Sequence, residues 1–151
     1  MRKDHTAPDF ELPDQEGRPW RLSSALADGP VALFFYPAAN TPICTKQACH
    51  FRNLSAEFAA AGVQRVGISR DSVDVQQGFS EKYDLDYPVL SDADGAVAKA
   101  YGVRRALIGL GLPNKRWTFA IAQDGTIAEV INSELNATVH ADRALAALAS
   151  A

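Results

Sequence analysis

The sequence of 151 residues holds only two cysteines, Cys44 and Cys49, five positions apart. Thiols that close together cannot staple a small secreted scaffold, so the fold must rest on an apolar core. No apolar run approaches the ~20 residues that span a bilayer. The opening residues, Met-Arg-Lys-Asp-His-Thr-Ala-Pro, contain no apolar stretch of the signal-peptide kind, which makes the cytoplasm the default expectation. Excess positive charge is missing too: the formal net charge is -3, which argues against a nucleic-acid surface. Repeats, low-complexity tracts and linker-like stretches are absent. What is present, 47% hydrophobic content over 151 residues, fits one domain spanning residues 1–151 with a real core.

The most informative stretch is Pro37-Ala-Ala-Asn-Thr41-Pro42-Ile-Cys44-Thr-Lys-Gln-Ala-Cys49. Residues 31–36 just before it are almost unbroken apolar and aromatic, the pattern of a strand buried on both faces, and Pro37 stops it. Thr41 followed by Pro42 predicts an N-cap and first helical residue, which makes Cys44 the third residue of a helix. A helix N-terminus carries unpaired N–H groups and about half a positive charge. Thiols placed there have pKa values of roughly 3.5 to 7.5, against about 8.5 for a free cysteine. A pKa near 6 would make such a thiol about 90% thiolate at neutral pH, against about 3% unshifted. The same N–H groups could hold a polar substrate oxygen beside the sulfur.

On one continuous helix, Cys44 and Cys49 would be separated by about 7.5 Å of rise and about 140° of rotation. A disulfide needs Cα atoms within roughly 4.4 to 6.8 Å. Either the two never pair, or the helix unwinds locally so that they can. Cys44, Ala48, Phe51, Leu54 and Phe58 share an apolar face, while Cys49 falls with Thr45, Arg52 and Asn53 on the other side.

The pattern Pro37-x-x-x-Thr41-x-x-Cys44 resembles the active-site motif of the peroxiredoxins. The second cysteine five residues on resembles the Q-type subgroup, also called bacterioferritin comigratory protein. The likeness continues through Ala7-Pro8-Asp9-Phe10-x-Leu12, Phe34-Phe35-Tyr36-Pro37, Cys49-x-Phe51-Arg52, Gly67-Ile-Ser-Arg-Asp71-Ser72, Leu90-Ser-Asp92, Tyr101-Gly-Val103 and Arg116-x-Thr118-Phe119. The resemblance implies that Cys44 is the peroxidatic cysteine, oxidised by a hydroperoxide to a sulfenic acid, and that Cys49 resolves it as an intramolecular disulfide. It implies that Thr41 and backbone N–H groups bind the peroxide oxygens, that Pro37 shields the sulfur and that Arg116 lowers the thiol pKa. An arginine suits that task because it stays charged and offers several donors in a fixed fork. It implies further a hydroperoxide substrate, thioredoxin or a similar dithiol as reductant, a monomer, and no metal, haem or flavin cofactor. Two departures stand out. Ile43 replaces a common glycine, and Ala38-Ala39-Asn40 replaces a Lys-Asp-Phe-like segment, which predicts a changed pocket shape with the chemistry intact. The span from Tyr101 to Arg116 is also shorter and more apolar than in the family, with Ala106-Leu-Ile-Gly-Leu-Gly-Leu-Pro113 at its centre.

Read coarsely, residues 10–12 and 20–22 are short strands around the turn Asp14-Gln-Glu-Gly17, and residues 31–36 form the central strand. A helix over residues 42–61 ends at Gly62, and residues 63–69 form the next strand. Ser72 can cap a helix with Val75, Phe79 and Tyr83 on one face, and Asp94 can cap another that closes at Gly102. Residues 117–122 and 126–131 flank Gln123-Asp124-Gly125, a hairpin signal. Thr138 can cap a last helix bearing Leu145 and Leu148. This order predicts an α/β protein with a central mixed β-sheet flanked by helices and an N-terminal β-hairpin extension, the order of the thioredoxin-like fold.

Other readings of the same residues are narrower. Cys44 could be a buried structural thiol and Cys49 a bystander. A thiol-disulfide oxidoreductase would normally use C-x-x-C, whose short spacing closes a bridge without unwinding. A metal-binding module on Cys44, Cys49 and His50 has too few ligands close by, since His5 and His140 lie near the chain ends. A purely structural domain leaves the capped thiol unexplained. Asp92-Ala-Asp94-Gly95 resembles the start of a calcium loop but lacks its third acidic ligand and closing Glu. Gly109-Leu-Gly111 lacks the strand and third glycine of a dinucleotide loop. Arg104-Arg105 and Lys115-Arg116 are short basic pairs of the solvated kind, Arg116 apart.

Overall fold

The structure is a computed structural model that describes residues 1–104 and 114–149. The apolar segment 106–113, with Gly109-Leu-Gly111 inside it, and Arg105 lie outside the described residues. Strands β1 (Glu11–Pro13) and β2 (Pro19–Arg21) pair as an antiparallel hairpin. Asp14 Oδ1 closes their turn by accepting from the N–H groups of Glu16 and Arg18. A short helix α1 (Leu22–Leu26), without a capping side chain and absent from the sequence reading, follows at once.

The main sheet has the order β5-β4-β3-β6-β7. Its members are β3 (Val31–Phe35), β4 (Gln64–Ser69), β5 (Val89–Ser91), β6 (Trp117–Ile121) and β7 (Ile127–Ile131). β3, β4 and β5 run parallel, while β6 and β7 are antiparallel to their neighbours, so the sheet is mixed as expected. β5 was not legible as a strand, because three residues carry too little periodicity. β3 is buried at every position. Its alternate residues feed two cores: Val31, Leu33 and Phe35 on one face, Ala32, Phe34 and Tyr36 on the other. Gly67 on β4 leaves room for the second set, since a Cβ there would come within 2.8 Å of the Phe34 ring.

The helix foreseen over residues 42–61 is two helices, α2 (Pro42–Asn53) and α3 (Ser55–Ala61), broken at Leu54 with φ -94° and ψ 20°. The break has a physical cause. Arg65 Nη1 donates to the Phe51 carbonyl at 3.1 Å, taking the acceptor that a continuous helix would offer to residue 55. Arg65 is itself held by Asp86 and lies over the rings of Phe58 and Tyr87. Phe51 stacks on Phe34 at 4.1 Å, which fixes α2 against the central strand, and Gly62 closes α3 with φ 70° as predicted.

Helix α4 (Val73–Tyr83) is capped by Ser72, whose Oγ accepts from the Val75 N–H. Its inward face differs from the expectation: Val75 is 42% exposed, and Gln76 is buried in its place. The Gln76 amide explains the exchange, because it bonds Tyr36, Ser69 and Leu90 at once. Helix α5 (Ala96–Ala100) takes its cap from Asp92 rather than Asp94. Gly95 turns left-handed at φ 72°, so Asp94 reaches only Ala96 N–H while the Asp92 carboxylate accepts from Val97 and Ala98. Helix α6 (Val139–Ala149) is likewise entered through the Asn136 side chain, which accepts from the N–H groups of Thr138 and Val139, not through the hydroxyl of Thr138. α6 packs on β6 and β7 and touches α2 and α3.

Candidate active site

At the carboxyl edge of the sheet, Tyr36 N–H still bonds the Ile68 carbonyl, and buried Pro37 then ends the ladder. The chain turns into α2 through Ala38, Ala39 and Asn40. Asn40 takes a left-handed φ of 65°, which an asparagine tolerates better than most residues. Thr41 occupies the N-cap position with extended backbone and Pro42 the first helical one. The Thr41 hydroxyl, however, makes no cap bond and donates to the Ala38 carbonyl at 2.8 Å instead. The tight turn at Asn40 brings that carbonyl within reach. The N–H groups of Ile43 and Cys44, which have no i−4 carbonyl in the helix, therefore lack a capping side chain.

Cys44 is 1% exposed at the start of α2. Arg116 reaches it through sheet register. Antiparallel pairing of β3 with β6 sets Phe35 against Trp117, so the preceding residue, Arg116, arrives at the edge where α2 begins. Arg116 Nη2 donates to Cys44 Sγ at 3.3 Å, Nη1 to Gln47 Oε1 at 2.7 Å and Nε to the Glu134 carbonyl at 2.9 Å. Its backbone N–H adds a bond to Glu134 Oε2 at 3.0 Å, and the residue is only 4% exposed. A buried cation is tolerable where its donors find partners, and the arginine fork here gives Nε, Nη1 and Nη2 one each.

Gln47 and Glu134 were not singled out from the sequence. Gln47 could have been, because it stands three residues after Cys44 and so shares its helix face. Its Oε1 orients the guanidinium, while its Nε2 is buried without a hydrogen-bond partner among the described residues. Glu134 carries no such signal, since it comes from the connection between β7 and α6. That connection is braced by His140, whose Nε2 faces the Ser133 carbonyl at 2.6 Å and whose Nδ1 faces Thr118 Oγ1 at 2.7 Å. A carbonyl only accepts, so Nε2 carries the proton and Nδ1 accepts from Thr118. Burial lowers the His140 pKa to about 4, and the charges of Arg116 and Arg143 add to the effect against the opposing Ser133 bond.

Cys49 is half-buried further along α2, and both thiols are free. The helix between them is continuous, so its pitch holds the two sulfurs apart. Around Cys49, Tyr87 Oη donates to the Ala48 carbonyl at 2.8 Å, and Arg52 Nη1 to the Tyr83 carbonyl at 2.6 Å. His50 Nε2 meets Asp142 Oδ1 at 2.8 Å, so this histidine is engaged with α6. Among the described residues no group of three or more His, Cys, Asp or Glu could hold a metal ion. Among them, too, no helix is long and apolar enough to cross a membrane.

A mixed sheet that sets an arginine against a buried thiol at a helix start is the framework of a thiol-based redox enzyme. Comparison with known proteins gives the family. The AhpC/TSA family model matches residues 4–130. The solved structure of peroxidoxin BcpB from Mycobacterium tuberculosis is 55% identical with a TM-score of 0.94, over 99% of this chain and 97% of that one. Chloroplastic peroxiredoxin Q of Sedum lineare is 42% identical over 150 residues, 99% of this chain and 79% of the relative. The bacterioferritin comigratory protein of Xanthomonas campestris, whose trapped structures concern its alkyl peroxide reduction, is 32% identical with a TM-score of 0.84, covering 93% and 90% of the two chains. The chain belongs to the AhpC/TSA family, as a peroxiredoxin of the Q type with the thioredoxin-like fold, a thiol-dependent peroxidase.

Proposed function

We propose that this peroxidase works through Cys44 as the peroxidatic residue and Cys49 as the resolving one, with thioredoxin or a similar dithiol as reductant. The observation that carries the reading is the Arg116 guanidinium 3.3 Å from a buried thiol at a helix start. The thiolate is the form that attacks, and Arg116 Nη2 sets a charged donor against that sulfur. The Cys44 thiolate attacks the hydrogen-bearing oxygen of a hydroperoxide. An S–O bond forms, the O–O bond breaks, and the departing alkoxide or hydroxide takes up a proton. Thr41 and the N–H groups of Ile43 and Cys44 hold the peroxide oxygens, and Pro37 keeps water from the sulfur. The Cys49 thiolate then attacks the sulfenic sulfur, the disulfide forms as the S–O bond breaks, and the hydroxide released takes up a proton to leave as water. An external dithiol reduces that disulfide by exchange.

Hydrogen peroxide and small organic hydroperoxides are the substrates; the alkyl peroxide reduction described for the Xanthomonas campestris relative supports the second class. The helical spacing of the two thiols makes local unwinding of α2 part of the cycle. Need for a dithiol reductant favours a reducing compartment, the cytoplasm, and the chain acts as a monomeric domain. Peroxide-driven turnover with and without thioredoxin, followed by mass mapping of a Cys44–Cys49 bridge, tests the cycle. Peroxide consumption without that bridge would remove Cys49 from it, and no consumption would remove the function.

A further inference from the structure

The stretch Gly67-Ile-Ser-Arg-Asp71-Ser72 has no part in the cycle above, yet it touches the loop that carries the site. β3 and β4 run parallel with Phe35 opposite Ile68, so the chain leaving β4 emerges beside the chain leaving β3. There Asp71 Oδ2 accepts from the Ala39 N–H at 2.8 Å and from Ser69 Oγ at 2.7 Å. Its N–H donates back to Ser69 Oγ, and its carbonyl accepts from Ser91 Oγ at 2.7 Å. Ser69 Oγ also accepts from Gln76 Nε2, whose partner oxygen takes the Tyr36 hydroxyl at 2.6 Å. The carboxylate is thus fixed from the sheet side, and its bond to Ala39 reaches outward to the active-site loop.

The peptide group joining Ala38 to Ala39 is bonded at both ends. Its N–H donates to Asp71, and its carbonyl accepts from Thr41 Oγ1 at 2.8 Å. A carbonyl cannot donate, so the single hydroxyl proton of Thr41 is committed inward. Toward a substrate, Thr41 Oγ1 is then an acceptor only. We propose that Asp71 is a positioning residue for Thr41: through the Ala38–Ala39 peptide it fixes the hydroxyl as an acceptor for the O–H of a neutral hydroperoxide. A negative group on the N–H side polarises the peptide and strengthens its oxygen as an acceptor, the cooperativity expected of hydrogen bonds in series. The proposal rests on the assignment of Thr41 to peroxide binding made above.

The test measures single-turnover oxidation of Cys44 by hydrogen peroxide in the wild type, Asp71→Ala, Asp71→Asn, Thr41→Val and the two double variants, beside the rate of Cys44 alkylation by iodoacetamide. Alkylation needs the thiolate but not an oriented peroxide. Asp71→Ala should slow oxidation about tenfold, the scale of one lost hydrogen bond to a charged group, and leave alkylation within about twofold. Asp71→Asn keeps an oxygen for Ala39 and should slow it about threefold. In the Thr41→Val background neither substitution should slow oxidation further. Additive losses in the double variants, alkylation slowed as much as oxidation, or wild-type oxidation rates in both single variants would each overturn the proposal. Should Asp71→Ala not fold, Asp71→Asn alone and with Thr41→Val decides it. A wild type inert to peroxide would bring down the functional reading and this one with it; a reactive wild type with indifferent Asp71 variants sinks only the positioning role.

Discussion

The two ends of α2 are built for different tasks. At its start Cys44 is sealed from solvent and faces a guanidinium that three separate elements hold in place: α2 through Gln47, the entry to β6 through Arg116 itself, and the β7–α6 connection through Glu134. At its far end Cys49 is half-buried, and the neighbouring contacts are exposed or spent on backbone carbonyls: His50 with Asp142, Arg52 with Tyr83, Tyr87 with Ala48. The start faces a fixed charge, and the end is latched by three contacts of which the outermost is weak. The His50–Asp142 pair has side chains 25% and 58% exposed, which puts its worth at about 1 kcal/mol or less. One helix thus holds a buried thiol against a fixed charge at its start and carries a partly exposed latch beside the second thiol.

Removing the thiol at the start should have the largest effect. Cys44→Ser is expected to abolish peroxide consumption in a steady-state assay, and activity retained at the wild-type level would show that the chemistry lies elsewhere. Cys49→Ser breaks the comparison from the other side. A single turnover should remain, thioredoxin-dependent cycling should stop, and mass spectrometry should find Cys44 advancing to sulfinic acid; sustained cycling would mean another thiol resolves. Arg116→Met should slow Cys44 oxidation in stopped-flow measurements by roughly 10- to 100-fold, the scale of a lost charge-assisted hydrogen bond. It should also lower stability, since Gln47 Oε1 and the Glu134 carbonyl lose their donor.

A pH effect sharpens the contrast further, because His140 braces the side of the molecule that holds Arg116. Its pKa is about 4 in the folded protein against an ordinary 6.5, so the unfolded chain binds the extra proton first. The stabilisation from the neutral imidazole is complete above pH 6.5 and is lost as pH falls toward 4, amounting to about 3 kcal/mol. Denaturant titrations from pH 7 to 4 should show this slope, and His140→Gln should flatten it. The smallest effect belongs to the latched end: Asp142→Ala should cost less than about 1 kcal/mol of stability while raising the rate of Cys44–Cys49 bridge formation a few-fold. A slower bridge in that variant would contradict the latch.

Much of this was legible before the structure. The strand at residues 31–36 announced itself by an unbroken apolar run, and Thr41-Pro42 set the start of α2, because those signals are local. The pairing of Arg116 with Cys44 was not local; it depends on the antiparallel register of β3 and β6, which sequence spacing does not encode, and only family resemblance anticipated it. The departures in capping share one cause. Thr41 holds the N-cap position without its bond, and at Asp94 and Thr138 a turn nearby hands the work to another group. Glu134 had no signature at all, since a loop residue that holds an arginine by carbonyl and carboxylate looks like any other acidic loop residue.

The interruption at Leu54 also sets a clock. Because Arg65 claims the Phe51 carbonyl, the hydrogen-bond ladder of α2 does not run on into α3, and in the proposed cycle an opening of α2 ends by Asn53 with Phe58 still in the core. A coil of that length re-forms helix on the order of a microsecond, while typical enzymes turn over about ten times per second. In the proposed cycle, the helix-forming step that follows reduction of the disulfide is thus far faster than a typical turnover.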